Sequence, residues 1–586
     1  MAERLDRNRA ALVTGVRGGL RRRSGYWWLW VLPAAFLALF YFYPLLSILS
    51  LSFSRAGWDI LAPFAQVLGS ASLRGVIRFT FWQASLSTLL TLLFGLPGAY
   101  LLARYKIWGK SLILAVTGIS FVLPTLVVAT AFHALLGPSG WVNLSLMYLL
   151  GLSRPPIQFM NTFGAILVAH VFYNTTIVLR LVGDFWSHLD PRLAQAAMTL
   201  GANRWQTLRR VVLPLLLPAI ASAALLIFIF DFTSFGVILV LGGPRFSTLE
   251  VEIYNQTIGL FNLPLAAALA MIQLVCTLAL ATAYSRLSAR ISRPIELRPQ
   301  KYTERALTGR GSRVLAAIYI AALLGLLTLP LLGLITRSFA QIETVRGDPR
   351  RLQIAPTLAY YQELVRNPSE SYFYAPPSTA IAISLGYAAI TVVLALAIGL
   401  PAAWALARDP GSATSQFFEP LLMLPLGTSA VTLGLGFIVA LDTPPLDLRA
   451  SPLLTPLAHT LVAFPFVVRS LAPALGSIKP RLRQAAAVMG ASPGEVLRRI
   501  ELPLVGRALL VAAIFAFTIS LGEFGATSLV ARPEYPTIPV MIYRFLSQPG
   551  ALNLGKALAL SAILSLVTGV SMLAIERFRI ADIGEF

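Results

Sequence analysis

The side chains able to do chemistry are few and poorly spaced for catalysis. The four histidines, His133, His170, His188 and His459, stand in no HExxH or similar ligand spacing, which argues against a metal enzyme. The one cysteine, Cys276, lies inside an apolar run; it allows no intrachain disulfide and no cysteine metal site, and reads as a small buried side chain. Gly109-Lys110-Ser111 has the ending of a phosphate-binding loop. Arg104, however, stands where GxxxxGK[ST] needs its first glycine, so the stretch reads as a basic loop end. What remains are two acids in apolar surroundings, Asp231 and Glu523. An acid within a membrane helix costs roughly 2.5–3.5 kcal/mol on insertion scales, so each is expected to face a bundle interior or a water-filled path. Together with Ser234 and Ser520 they read either as a polar, cation-attracting lining of such a path or as buried hydrogen bonds between helices.

The elements that must position these residues are membrane helices. Of 586 residues, 57% are hydrophobic and 12% charged. Soluble globular proteins carry about 25% charged residues, so the composition excludes a soluble multidomain enzyme and fits an all-α polytopic membrane protein. A helix needs about 20 apolar residues to cross the hydrocarbon core, and an open strand would leave its backbone unpaired there. Apolar runs of that length fall at 27–53, 79–103, 111–136, 162–183, 211–242 and 264–285. A second set falls at 314–336, 379–407, 417–441, 453–474, 507–530 and 556–575, giving twelve spans in two groups of six. The first run is too long for a signal-peptide core and reads as a retained helix behind a basic N-terminus, 1–25. The halves are then 26–287 and 314–586, joined by a polar linker, 288–313. The loop from Arg337 to Ser378 is expected to hold short helices or irregular structure.

The formal net charge of +22 orients these spans. With the N-terminus in the cytoplasm, 31 of the 47 Lys and Arg residues fall on cytoplasmic segments, which carry a net +18 against +4 outside. That is the positive-inside asymmetry, with both termini cytoplasmic. The charge therefore reads as topology, not nucleic-acid binding. Arg180 and Arg469 lie near the cytoplasmic ends of spans and read as snorkelling side chains. Tyr26, Trp27, Trp28 and Trp30 read as an interfacial belt.

The halves repeat each other at an offset of 289 residues. Gln195-Ala196-Ala197, Gly201, Arg209-Arg210 and Leu213-Pro214 pair with Gln484-Ala485-Ala486, Gly490, Arg498-Arg499 and Leu502-Pro503. The same offset pairs His170 with His459, Phe235-Gly236 with Phe524-Gly525, and Tyr254 with Tyr543. It also sets Asp231 against Ser520 and Ser234 against Glu523, so the acids are not partners. Two repeats of six spans insert in the same orientation, related by an axis along the membrane normal. Each loop reads as a cytoplasmic helix with proline in its first turn, a glycine cap and a basic second segment. Two matched copies favour docking of two copies of one partner over plain interfacial loops. The histidines read as helix-packing groups, and the two tyrosines as part of an outer receiving surface or an aromatic belt.

In these loops the chain resembles the permease subunits of bacterial binding-protein-dependent ABC importers. Their signature is Glu-Ala-Ala, three residues, Gly, nine residues, Ile, one residue, Leu-Pro. Both loops keep every spacing, with Gln195 and Gln484 in place of Glu. Stretches such as Ala169-His170-Val171-Phe172-Tyr173-Asn174 and Ser520-Leu521-Gly522-Glu523-Phe524-Gly525 resemble the fused two-module permeases for thiamine and iron(III). The resemblance implies a type I importer fold of two tandem six-helix modules in the bacterial cytoplasmic membrane. It also implies coupling helices seated on an ABC ATPase in two copies, and an extracytoplasmic substrate-binding protein. ATP and Mg would belong to the ATPase, with no cofactor in this chain. The fifth span of each half, which carries Asp231 and Glu523, lines the path in this family. The rival reading, an ion-coupled secondary transporter with twelve spans, lacks a reason for the duplicated cytoplasmic loop.

Overall fold

A computed structural model describes residues 27–54, 62–291, 304–345, 348–366, 376–409, 411–442 and 446–578. The basic N-terminus, Tyr26 and linker residues 292–303 lie outside the described residues. The first half contains α1 (Trp27–Ser52), α2 (Ala71–Arg104), α3 (Lys110–Val122), α4 (Thr125–Leu136), α5 (Phe163–His188), α6 (Pro191–Thr199), α7 (Arg204–Phe232), α8 (Leu249–Tyr254) and α9 (Leu263–Ile291). The second half contains α10 (Arg310–Ser338), strands β1 (Ala340–Val345) and β2 (Asp348–Pro356), α11 (Pro377–Arg408), α12 (Ala413–Gly427), α13 (Ala430–Ala440), α14 (Leu454–Gly476), α15 (Pro480–Val488), α16 (Gly494–Leu504), α17 (Gly506–Gly522), α18 (Ile538–Leu546) and α19 (Ala551–Phe578). Among the described residues, ten helices are long and apolar enough to cross a membrane, one of them Thr125–Leu150, which continues α4, and up to twelve spans result if two bent pairs each count as one.

Several spans expected to be continuous are broken. The run 111–136 divides at Leu123-Pro124, because a proline disfavours helical backbone at the residue before it. The run 417–441 bends by 98° between α12 and α13, just after Leu424-Pro425. The run 211–242 stops at Phe232, and 507–530 stops at Gly522. Such irregular backbone is tolerated at membrane depth where protein encloses it.

The repeat extends to packing. A Cβ on Gly95 would lie 2.7 Å from the Cβ of Val178, and one on Gly399 would lie 2.8 Å from Cγ1 of Val467. Val178 and Val467 are themselves 289 residues apart. Small residues thus let α2 approach α5, and α11 approach α14, in the same way.

The halves are not separate bodies. The first helix of each crosses to the other. In α1, the Tyr41 hydroxyl bonds the Thr428 hydroxyl at 2.6 Å, Trp30 stacks on Phe418 at 4.8 Å, and Gly436 accepts Pro44 with no room for a Cβ. In α10, the Tyr319 hydroxyl donates to the Phe94 carbonyl at 2.8 Å, and the Thr336 hydroxyl accepts from Trp141 at 2.9 Å. Trp30 is therefore a packing residue and not part of a belt, whereas Trp27 and Trp28 are exposed. Arg180 does not simply snorkel: its Nη2 meets Glu576 of α19 at 2.5 Å, an ion pair between the halves. The loop 337–378 holds the expected short helix, Ala359–Gln362, and departs from expectation in one respect. Its alternating Gln341-Ile342-Glu343-Thr344 segment forms one strand of an antiparallel hairpin, with Ala340 opposite Pro356.

Candidate functional site

Both duplicated loops fold alike. In the first, Asp190 caps α6 by accepting from the Arg192 amide at 2.9 Å, Pro191 fills the first turn, and Gly201 turns the chain at φ +88°. In the second, Pro480 opens α15 and Gly490 turns at φ +86°. Each loop then re-enters a helix, through an Asn203–Gln206 capping box in the first and a Ser492–Glu495 cap in the second. Gln195 and Gln484 are exposed, as are Ala196 and Ala485. The loop tips present apolar side chains to solvent: Leu200 is 88% exposed, Val488 89% and Met489 82%. Arg209, Arg498 and Arg499 are also exposed.

The second loop has an anchor that sequence reasoning missed. Glu501 is fully buried and accepts from Trp404 Nε1 at 2.7 Å, Arg408 Nη2 at 2.7 Å and Arg483 Nε at 2.6 Å. Arg483 also donates to the Leu475 carbonyl at 2.9 Å. One carboxylate thereby joins α15 to the C-terminal end of α11. In the first half the matching positions hold Ala194 and Val212, and Arg104 donates to the Leu189 carbonyl at 3.2 Å. The linker leans on this first loop region, with Lys110 Nζ 2.8 Å from Glu304 and the Arg305 amide bonding the Arg104 carbonyl at 2.8 Å.

Deeper in the membrane, each half places its histidine between an acid and a hydroxyl. His170 Nδ1 lies 2.9 Å from Ser87 Oγ and 3.3 Å from Asp231 Oδ1, and Nε2 lies 2.9 Å from Ser234 Oγ. Asn174 donates to Asp231 Oδ1 at 2.7 Å, and Gln83 to the Asp231 carbonyl at 2.7 Å. His459 Nδ1 lies 2.7 Å from Ser520 Oγ, and Nε2 lies 2.7 Å from Thr527 Oγ1 and 3.4 Å from Glu523 Oε2. Glu523 also accepts from the amides of Ala526 at 2.8 Å and Thr527 at 2.9 Å. The acid and serine have exchanged places between the repeats, yet each histidine keeps one of each. Asp231 retains Oδ2 with no hydrogen-bond partner among the described residues. No group of three or more metal-ligating side chains occurs among the described residues.

The repeated Phe-Gly pairs meet between the halves. Phe235 and Phe524 stack with centroids 5.4 Å apart and planes 18° apart. Tyr254 flanks Phe235 at 5.3 Å and Tyr543 flanks Phe524 at 5.5 Å, both tilted by 54°. Both phenylalanines are buried and both tyrosines half-buried. Tyr254 and Tyr543 thus belong to an inter-half aromatic ladder, and not to a lipid-facing belt.

The profile of binding-protein-dependent transport system inner membrane components matches residues 95–293 and 395–579, more than half of the chain. The thiamine transport system permease protein of Escherichia coli strain K12 is 29% identical over 487 residues, covering 82% of this chain and 85% of that protein. Its counterpart in Brucella abortus strain 2308 is 28% identical, covering 93% and 94%. A probable ABC transporter permease protein of Sinorhizobium fredii is 26% identical, covering 88% and 90%. The chain belongs to the binding-protein-dependent transport system inner membrane components: it is the multi-pass inner membrane permease of an ABC importer, served by an ATPase and a binding protein and carrying no catalytic activity of its own.

Proposed function

We propose that this permease imports thiamine by alternating access. The thiamine reading is supported by the named functions of its relatives at 28–29% identity, whereas the relatives named above offer nothing for iron(III). A periplasmic or lipid-anchored binding protein delivers the solute. ATP and Mg act in two copies of the ATPase, one under α6 and its loop, the other under α15. The residues assigned to docking are Gln195, Ala196, Ala197, Gly201, Arg209, Arg210, Leu213 and Pro214, with Gln484, Ala485, Ala486, Gly490, Arg498, Arg499, Leu502 and Pro503.

The observation that carries the docking reading is the pair of exposed apolar tips. Leu200, Val488 and Met489 stand in water at the ends of two like-folded loops, and a partner groove would cover them. Both termini are placed in the cytoplasm, and the modules at 26–287 and 314–586. The path is assigned to the fifth spans, with Asp231, Ser234, Ser520 and Glu523 near it. The test is uptake of labelled thiamine into vesicles holding the permease, ATPase and binding protein. Vanadate-sensitive uptake is expected; uptake that persists under vanadate and collapses with the ion gradient would support a secondary transporter.

A further inference from the structure

We infer that Phe235, Phe524, Tyr254 and Tyr543 form a cargo site in the permease that takes a flat, positively charged ring. The inference rests on the thiamine reading and deepens it. The four rings come from both halves, in two pairs each 289 residues apart, so they straddle the pseudo-axis along which cargo must pass. Aromatic faces carry negative charge and attract cations within about 6 Å of the centroid. At 5.4 Å apart, Phe235 and Phe524 leave no space for a third ring, so the structure holds the site shut.

The backbone around the rings is built to let them part. Phe235 and Phe524 both stand just beyond the ends of long helices, at Phe232 and Gly522. Because they belong to opposite halves, a relative motion of the halves separates them without unfolding either helix. Gly236 lets Phe524 lie against its backbone: a Cβ there would be 3.4 Å from the Phe524 ring and 2.5 Å from Thr125 Oγ1. Once parted, two phenyl faces are presented to the same cargo, with the tyrosine hydroxyls at the half-exposed rim.

Acidic residues stand close to the rings in sequence. Glu523 immediately precedes Phe524, Asp231 lies four residues before Phe235, and Glu250 lies four residues before Tyr254. Glu250 is buried and bonds Ser429 Oγ at 2.5 Å, while Asp231 keeps one carboxylate oxygen unused among the described residues. The one basic side chain adjacent to a ring in sequence is Arg544, beside Tyr543. A thiamine molecule offers a cationic thiazolium ring and a flat aminopyrimidine, both suited to stacking between two faces.

The test uses the assembled permease–ATPase complex in detergent and in vesicles, with thiamine as the probe. Direct thiamine binding to the complex is measured for the wild type, for Phe235→Leu with Phe524→Leu, and for Phe235→Tyr with Phe524→Tyr. The leucine pair keeps apolar bulk but removes the π faces, and about a tenfold loss of affinity is expected. The tyrosine pair is expected to remain within about twofold of wild type. If the leucine pair does not assemble, graded fluorination of Phe524 replaces it. Fluorine withdraws charge from the ring face, so affinity must fall stepwise with each fluorine added. Leucine or fluorinated variants that bind and import thiamine like wild type overturn the ring assignment. A wild-type complex that imports no thiamine overturns the substrate reading instead, and this inference with it.

Discussion

Glu501 shows what a single residue can decide. Its carboxylate receives three donors in a fully buried position, and removing it would strand Arg408 and Arg483. Breaking one side of a buried ion pair costs about 3–5 kcal/mol. Glu501→Ala is expected to lower the melting temperature of the purified complex and to raise ATP hydrolysed per solute imported, because α15 loses its tie to α11. Glu501→Gln keeps an acceptor and should fall between the two; a wild-type coupling ratio in both would refute the anchor. Gly236 gives a second residue-scale expectation. Gly236→Ala places a methyl 2.5 Å from Thr125 Oγ1, and overpacking of this kind costs about 1–3 kcal/mol. A Cβ on Gly386 meets nothing within 4 Å, so Gly386→Ala serves as the control. ATP-driven solute uptake should fall in the first and hold in the second. The Glu501 anchor was not legible from the repeat, because matched positions are where the copies agree and the anchor lies where they differ. Arg483 and Glu501 both replace uncharged residues, Ala194 and Val212, at their repeat positions. An acid and a base gained together in one copy was the available signal.

At the scale of elements, the duplicated loops depend on two glycines with positive φ. A Cβ added to Gly201 or to Gly490 would meet no atom within 4 Å, so a side chain has room and the whole penalty is backbone strain. That strain is about 1–2 kcal/mol for an ordinary residue and less for asparagine. Gly201→Val and Gly490→Val should each weaken ATPase co-purification and ATP-driven uptake, while the asparagine variants stay close to wild type. Equal uptake in all four would remove the turn from the coupling route. Loop geometry was readable in the sequence because proline, Gln-Ala-Ala and glycine each state a local backbone preference. The breaks within spans were less readable. Leu123-Pro124 and Leu424-Pro425 carry the local signal, but an apolar run of 26 or 25 residues looks like one straight helix when hydropathy alone is counted. Whether a proline kinks or ends a membrane helix depends on neighbours that cover the freed carbonyls. The inner histidine clusters were hidden for a related reason: the acid and serine swap between repeats, so neither acid has a partner at its own offset.

For the whole molecule, the decisive fact is that sequence halves and packed halves differ. α1 belongs to the first half but rests on Thr428, Phe418 and Gly436 of the second. α10 belongs to the second but rests on Phe94 and Trp141 of the first. The Arg180–Glu576 pair and the Phe235–Phe524 stack add contacts across the same divide. Repeat arithmetic could show that the halves are alike, but not that they exchange their first helices, because similarity within a copy carries no information on which copy a helix touches. A chain cut within residues 292–303 therefore makes two fragments, each with its opening helix deprived of its bed. Either fragment expressed alone should be degraded or aggregate, since α1 or α10 would present packing side chains to lipid and leave a groove empty. Expressed together, they should co-purify through a tag on one fragment and restore ATP-driven solute uptake. A fragment that is stable and monodisperse alone would mean that the crossed helices add little to the fold. Adding Arg180→Ala to the split pair should weaken co-purification further than it affects the intact chain, because in the split protein no linker holds the halves close while other contacts form.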